Sequence, residues 1–152
     1  MSRRTPAALV AAAALGAVAG CAPADPAAVA AFGLDDTGYL GVVMLCDEGR
    51  SLTHVEVLDV ERDQPAIAWI GRTVEPITIF RLSEAPPDNW VVDVEGGLLS
   101  GTTYRFRASA DDLEVLGPEL DLDDLATVGV GGVVDPDGVV LPLEEFLDTG
   151  CD

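Results

Sequence analysis

One histidine, three cysteines and 27 acidic residues are the groups in these 152 residues whose types suit chemistry. His54 stands two positions before Glu56, so in a strand both side chains share one face. A Ser–His–acid triad needs the imidazole within hydrogen-bond reach of a nucleophile. The chain has no Gly-x-Ser-x-Gly elbow. Ser100 precedes Gly101, but in a turn before a strand, which is the wrong setting. Zinc wants a cluster of nitrogen and sulfur ligands, and one His beside Cys46 and Cys151 does not supply it. Calcium takes roughly six to eight oxygens, and Asp-rich loops provide them. Three acidic clusters qualify for inspection: Asp111-Asp112, the run from Glu119 to Asp124, and Asp135-Pro136-Asp137. Asp121, Asp123 and Asp124 are the calcium candidates, a partial match to an Asp-x-Asp-x-Asp-Gly loop that lacks the Gly. The alternative is a solvated loop in which Asp123 or Asp124 caps a local turn. Paired carboxylates can hydrolyse a glycosidic bond, but an aromatic-lined cleft is hard to build with 5% aromatics. Gly96-Gly97 and Gly131-Gly132 lack the Lys-Ser/Thr that follows a phosphate loop. No catalytic set emerges, and the sequence asks for no cofactor.

The third cysteine has a different context. Residues 1–21 carry Arg3 and Arg4, then an apolar run from Ala7 to Ala19, then Val18-Ala19-Gly20-Cys21. The run has signal-peptide length and falls short of the about 20 residues that span a bilayer. This stretch resembles the signal and lipobox of bacterial lipoproteins: an aliphatic residue, two small residues and a Cys. The resemblance implies cleavage between Gly20 and Cys21 and a diacylglyceryl thioether on the Cys21 sulfur. Two acyl chains give stable anchoring where one gives marginal binding. The implied partner is therefore a membrane, held through Cys21 and not spanned. The Ser2-Arg3-Arg4 start also has a twin-arginine look. Pro6-Ala7 stand where that signal expects a hydrophobic pair, so the general secretory route is the expected one.

Composition changes near residue 32. Fourteen of the 20 Ala lie within residues 1–31. The expected organisation is a signal peptide over 1–20, a lipidated Cys with a flexible tether over 21–37, and a folded domain over 38–152. Cleavage removes two Arg and no acid, leaving six Arg against 27 acids, a formal charge of −21. That charge argues against nucleic acid as a partner, because a phosphate backbone repels it. Export places Cys46 and Cys151 in an oxidising compartment, where two cysteines have one intramolecular pairing. No Cys-x-x-Cys spacing points to a reactive pair.

The domain reads as short strands. Apolar or alternating runs occur at 39–46, 53–60, 66–70, 77–82, 90–95, 103–110, 127–134 and 139–143. The clearest is 103–110, where Tyr104, Phe106, Ala108 and Ala110 share one face and Thr103, Arg105, Arg107 and Ser109 the other. Asp135-Pro136-Asp137-Gly138 predicts a hairpin turn between the last two runs. Residues 142–148 predict one or two helical turns starting at Pro142. This pattern predicts an all-β fold, an antiparallel β-sandwich of about seven strands and immunoglobulin-like.

The stretch from Leu98 to Ala108 (LLSGTTYRFRA) resembles the leucine, turn, tyrosine and alternating strand of fibronectin type III domains. The resemblance implies a tyrosine corner in which the Tyr104 hydroxyl bonds back to upstream backbone. Trp69 is a loose substitute for the family's early-strand Trp, and 111–125 is longer than a hairpin there. Taken whole, the chain resembles small lipoproteins of high-GC Gram-positive bacteria. The expectation is a lipid-anchored extracytoplasmic envelope protein, non-catalytic, acting as an interaction or structural module with an envelope protein as partner. The alternatives are a small envelope hydrolase using carboxylates or His54, and a calcium-stabilised adhesion module.

Overall fold

The computed structural model describes residues 25–152. Its elements are β1 (Ala28–Asp35), β2 (Gly38–Leu45), β3 (Leu52–Asp59), β4 (Gln64–Thr73), β5 (Ile77–Arg81), β6 (Trp90–Val94), β7 (Thr103–Ala110), β8 (Leu113–Asp121), α1 (Leu122–Val128), β9 (Gly132–Val134), β10 (Val140–Pro142) and α2 (Leu143–Thr149). The strands form two five-stranded sheets, β10-β9-β1-β2-β5 and β6-β4-β3-β7-β8. Every pairing is antiparallel. Within them, β1-β2-β5 and β3-β7-β8 follow the A-B-E and C-F-G strand order of an immunoglobulin-like sandwich. The expected class holds; the strand count is ten rather than about seven.

Alternation decides which face each strand buries. Tyr104, Phe106, Ala108 and Ala110 of β7 face inward, against Phe32 of β1 and Val43 of β2. The Phe106 ring stacks on Phe32 with centroids 6.0 Å apart. Its far edge also comes against Gly41, where a Cβ would collide with it. Trp69, Phe80 and Trp90 form an aromatic chain, with centroids 5.7 Å and 4.9 Å apart. A second apolar layer covers the outer face of the first sheet. There Phe146 of α2 is 2% exposed and sits on Val29, Ala31, Leu40, Val42 and Met44. The Cys46–Cys151 disulfide ties the residue after β2 to the second residue past α2. In the chain-entropy picture a loop this long contributes about 4–5 kcal/mol.

The tyrosine corner is present: the Tyr104 hydroxyl accepts the Leu99 N–H at 2.9 Å. Three expectations need correction. Residues 28–35 are a strand and not part of a tether over 21–37, so the fold begins before residue 38. β1 is buried on both faces, inward through Ala30 and Phe32 and outward through Val29 and Ala31. It therefore shows no alternation, and its small residues let both layers approach. Residues 113–121 are also a strand, although they contain Gly117-Pro118. Those two residues oppose the single Phe106, where the register shifts between Arg105 and Arg107. Such a bulge in an edge strand is where Pro is tolerated. Finally, 122–128 is helix α1, so the strand expected over 127–134 shrinks to 132–134. Asp121, rather than Asp123 or Asp124, caps α1 by accepting the Asp123 N–H, and Leu122 and Leu125 are buried one turn apart.

Candidate functional site

Registered positions on neighbouring strands share a face, so pairing lays out the outer face of the second sheet in rows. One row runs Val91, Ile70, His54, Ser109, Glu114. The next runs Ala68, Glu56, Arg107, Leu116. The β6–β4 side of this face is apolar and the β3–β7–β8 side is ionic. Among the described residues no helix packs over it; α2 and its apolar contacts belong to the first sheet. Val91 is 64% exposed and Ile70 is 45% exposed.

A polar cleft of about 310 Å³ opens on the ionic side, lined by His54, Glu56, Arg107, Ser109 and Glu114 among others. Glu56 is 6% exposed, an uncommon depth for a carboxylate on an outer face. Arg107 explains it. Its Nε donates to Glu56 and its Nη1 donates to Glu114 at 3.2 Å. The His54 Nε2 stands 3.7 Å from Glu56 Oε2, an ion-pair distance too long for a hydrogen bond. Among the described residues no hydrogen bond joins the Ser109 or Ser100 hydroxyl to His54; Ser100 donates to Asp123 instead. The cluster holds a carboxylate in place through a guanidinium. It does not present a nucleophile to a base.

A larger cleft, about 410 Å³, lies between β8 and the β9–β10 turn. Arg105 in it is tied to Glu119. Two of the calcium candidates have carboxylates with local partners: Asp121 accepts from the Asp123 N–H and Asp123 accepts from Ser100. Among the described residues no group of three or more His, Cys, Asp or Glu converges as a metal site. Val18, Ala19, Gly20 and Cys21 lie outside the described residues, and no described helix is long and apolar enough to cross a membrane. At the β1–β2 turn, burial pushes the Asp35 carboxyl up. Hydrogen bonds from the Thr37 hydroxyl and N–H and from Arg81 outweigh burial and hold it below the usual carboxylate range.

His54 and Glu56 share one face, as their spacing predicts. Their partners Arg107 and Glu114 are not written in that spacing. The alternation of 103–110 already puts Arg107 on a polar face, but pairing it with Glu56 requires the β3–β7 register. Among the described residues Arg50, Arg62, Arg72, Arg81, Arg105 and Arg107 are each in an ion pair. Among the described residues the arginines are thus used internally while many acids remain free.

Fold and site together define an all-β, immunoglobulin-like sandwich with a disulfide-tied helix over one sheet and an uncovered face on the other. No protein-family model, curated protein or solved structure matches this chain.

Proposed function

We propose that this chain is a lipid-anchored extracytoplasmic envelope protein whose sandwich is a non-catalytic interaction module. The carrying observation is the asymmetry of the two sheets. α2 seals the outer face of the first, while the second leaves Ile70 and Val91 exposed beside an ordered ionic cluster. Exposed sheet surface and free strand edges are recurrent recognition elements. The Cys46–Cys151 bridge supports an oxidising compartment, and the Val18–Cys21 sequence supports the anchor.

Cross-linking on intact cells that express the tagged protein tests the module. A dominant protein captured above an unrelated Cys-anchored control supports the reading. Capture no different from that control removes it. The anchor has its own test: Cys21→Ser yields unprocessed protein that no longer partitions into detergent. Detergent partitioning of that variant at the mature mass overturns the anchor.

A further inference from the structure

We infer that the free edge of β6 is a docking site for an extended, positively charged peptide segment with apolar residues in alternation. This deepens the reading of the sandwich as an interaction module and is independent of the Cys21 anchor.

Four sheet edges are open to comparison. β10 is three residues long and ends in Pro142. β8 is interrupted at its Gly117-Pro118 bulge by Pro118, which has no N–H to offer an added strand. β5 has no acid among its five residues, and its one charge, Arg81, is already paired with Asp35. β6 is the remaining edge, pairing with β4 on one side; its register shifts at Asp93, opposite the Ala68–Trp69 step, but Trp90–Val94 contain no Pro and keep every main-chain N–H. It offers side-chain contacts on both faces of an added strand. Outward, Val91 lies opposite Ile70, and both are exposed. Inward, a cleft of about 190 Å³ is lined by Trp69, Leu82, Val92 and Val94, with Glu84 and Glu95 also at its wall. An added strand places successive side chains on opposite faces. Apolar residues would meet Val91 and Ile70. The intervening Lys or Arg would lay its aliphatic stem along Leu82 and Val92 and bring its charge to Glu84 and Glu95.

Charge sets the sign of the partner. Residues 82–104 contain Glu84, Asp88, Asp93 and Glu95 and no Lys or Arg. Among the described residues none of these four acids is in an ion pair. Natural edges use charge to prevent unwanted pairing. Here the protection has a single sign. It repels a second copy of this acidic chain and attracts a cationic strand.

The test uses the purified protein, nitrogen-15 labelled, and a capped pentapeptide Val-Arg-Val-Arg-Val. The control is the same peptide N-methylated at every main-chain nitrogen, with equal charge and no main-chain donor for strand pairing. Expected are amide shifts centred on Trp90–Val94 and a shift of the Trp69 indole, all lost with the methylated peptide. The double variant Glu84→Gln/Glu95→Gln, both at exposed positions, weakens binding about fivefold with an unchanged melting temperature. Equal binding of the methylated peptide, shifts centred on another edge, or no shifts at millimolar peptide would each overturn the site. The readout needs neither lipid nor a cellular partner. Failure here leaves the cross-linking result standing, and failure of the cross-linking leaves this site standing.

Discussion

Arg107 stands directly across from Glu56 on adjacent strands and holds its buried carboxylate while reaching Glu114 with its other end. Removing one partner leaves a largely buried charge without the guanidinium that holds it. Arg107→Ala is expected to destabilise the fold by about 2 kcal/mol, because breaking a buried pair costs more than losing a surface one. Glu114→Ala, at the exposed end, costs under about 0.5 kcal/mol. The double variant Glu56→Leu/Arg107→Leu recovers most of the loss. Urea unfolding of the three variants checks the order, and a Glu114 effect as large as that of Arg107 would contradict it.

The disulfide predicts a graded response. Cys46→Ser/Cys151→Ser loses about 4 kcal/mol in the chain-entropy picture. The loss begins locally, since α2 has seven residues, no side-chain cap at Pro142 and too little length to persist alone. Hydrogen exchange over 143–149 is expected to accelerate before that of β3 or β7. Uniform acceleration across the molecule would mean that α2 does not open separately. Two free thiols in the exported protein would remove the bridge itself.

Asp35 supplies the pH dependence. Its folded carboxyl titrates below its unfolded value, so its contribution is complete above the ordinary Asp pKa of about 4. It is lost as pH falls through the lower folded value. Asp35→Asn should therefore lower the urea midpoint at neutral pH, with the gap from the parent closing below about pH 4. A gap that persists unchanged in acid would assign the effect to the turn geometry alone.

Asp121 separates a cap from a metal ligand. Asp121→Ala removes the oxygen that accepts the Asp123 N–H and is expected to cost about 1 kcal/mol. The melting temperature of the parent should be equal in calcium and in chelator. A calcium-dependent rise, abolished by Asp121→Ala, would restore the adhesion alternative.

Legibility followed local physics. β7 was readable because one face is core and the other solvent, which writes a period of two into the residues. Tyr104 was readable because its turn is contiguous with it in sequence. β1 was opaque because burial on both faces erases that period, and its alanines look like those of a linker. β8 was opaque because a bulge hides Pro118, which is fully buried in the structure. α1 was opaque because its two inward leucines share one short turn with acids that suggested a loop. The Glu56–Arg107 pair joins positions 51 residues apart, and the edge character of β6 depends on the order of the whole sheet. Neither is written in any local window.

β1 lies between β2, its neighbour in sequence, and β9, about a hundred residues later. A chain delivered from its N-terminal side can form the β1–β2 hairpin at once. It has nothing to lay over Val29, Ala31, Leu40 and Val42 until residues 143–151 arrive. During that interval the first sheet carries an oily outer surface and an unpaired edge together, the combination that invites aggregation. The timing of arrival thus divides the life of this sequence in two: a sticky early period, in which a chaperone or slow dilution matters, and a closed later one that begins when Cys151 pairs with Cys46.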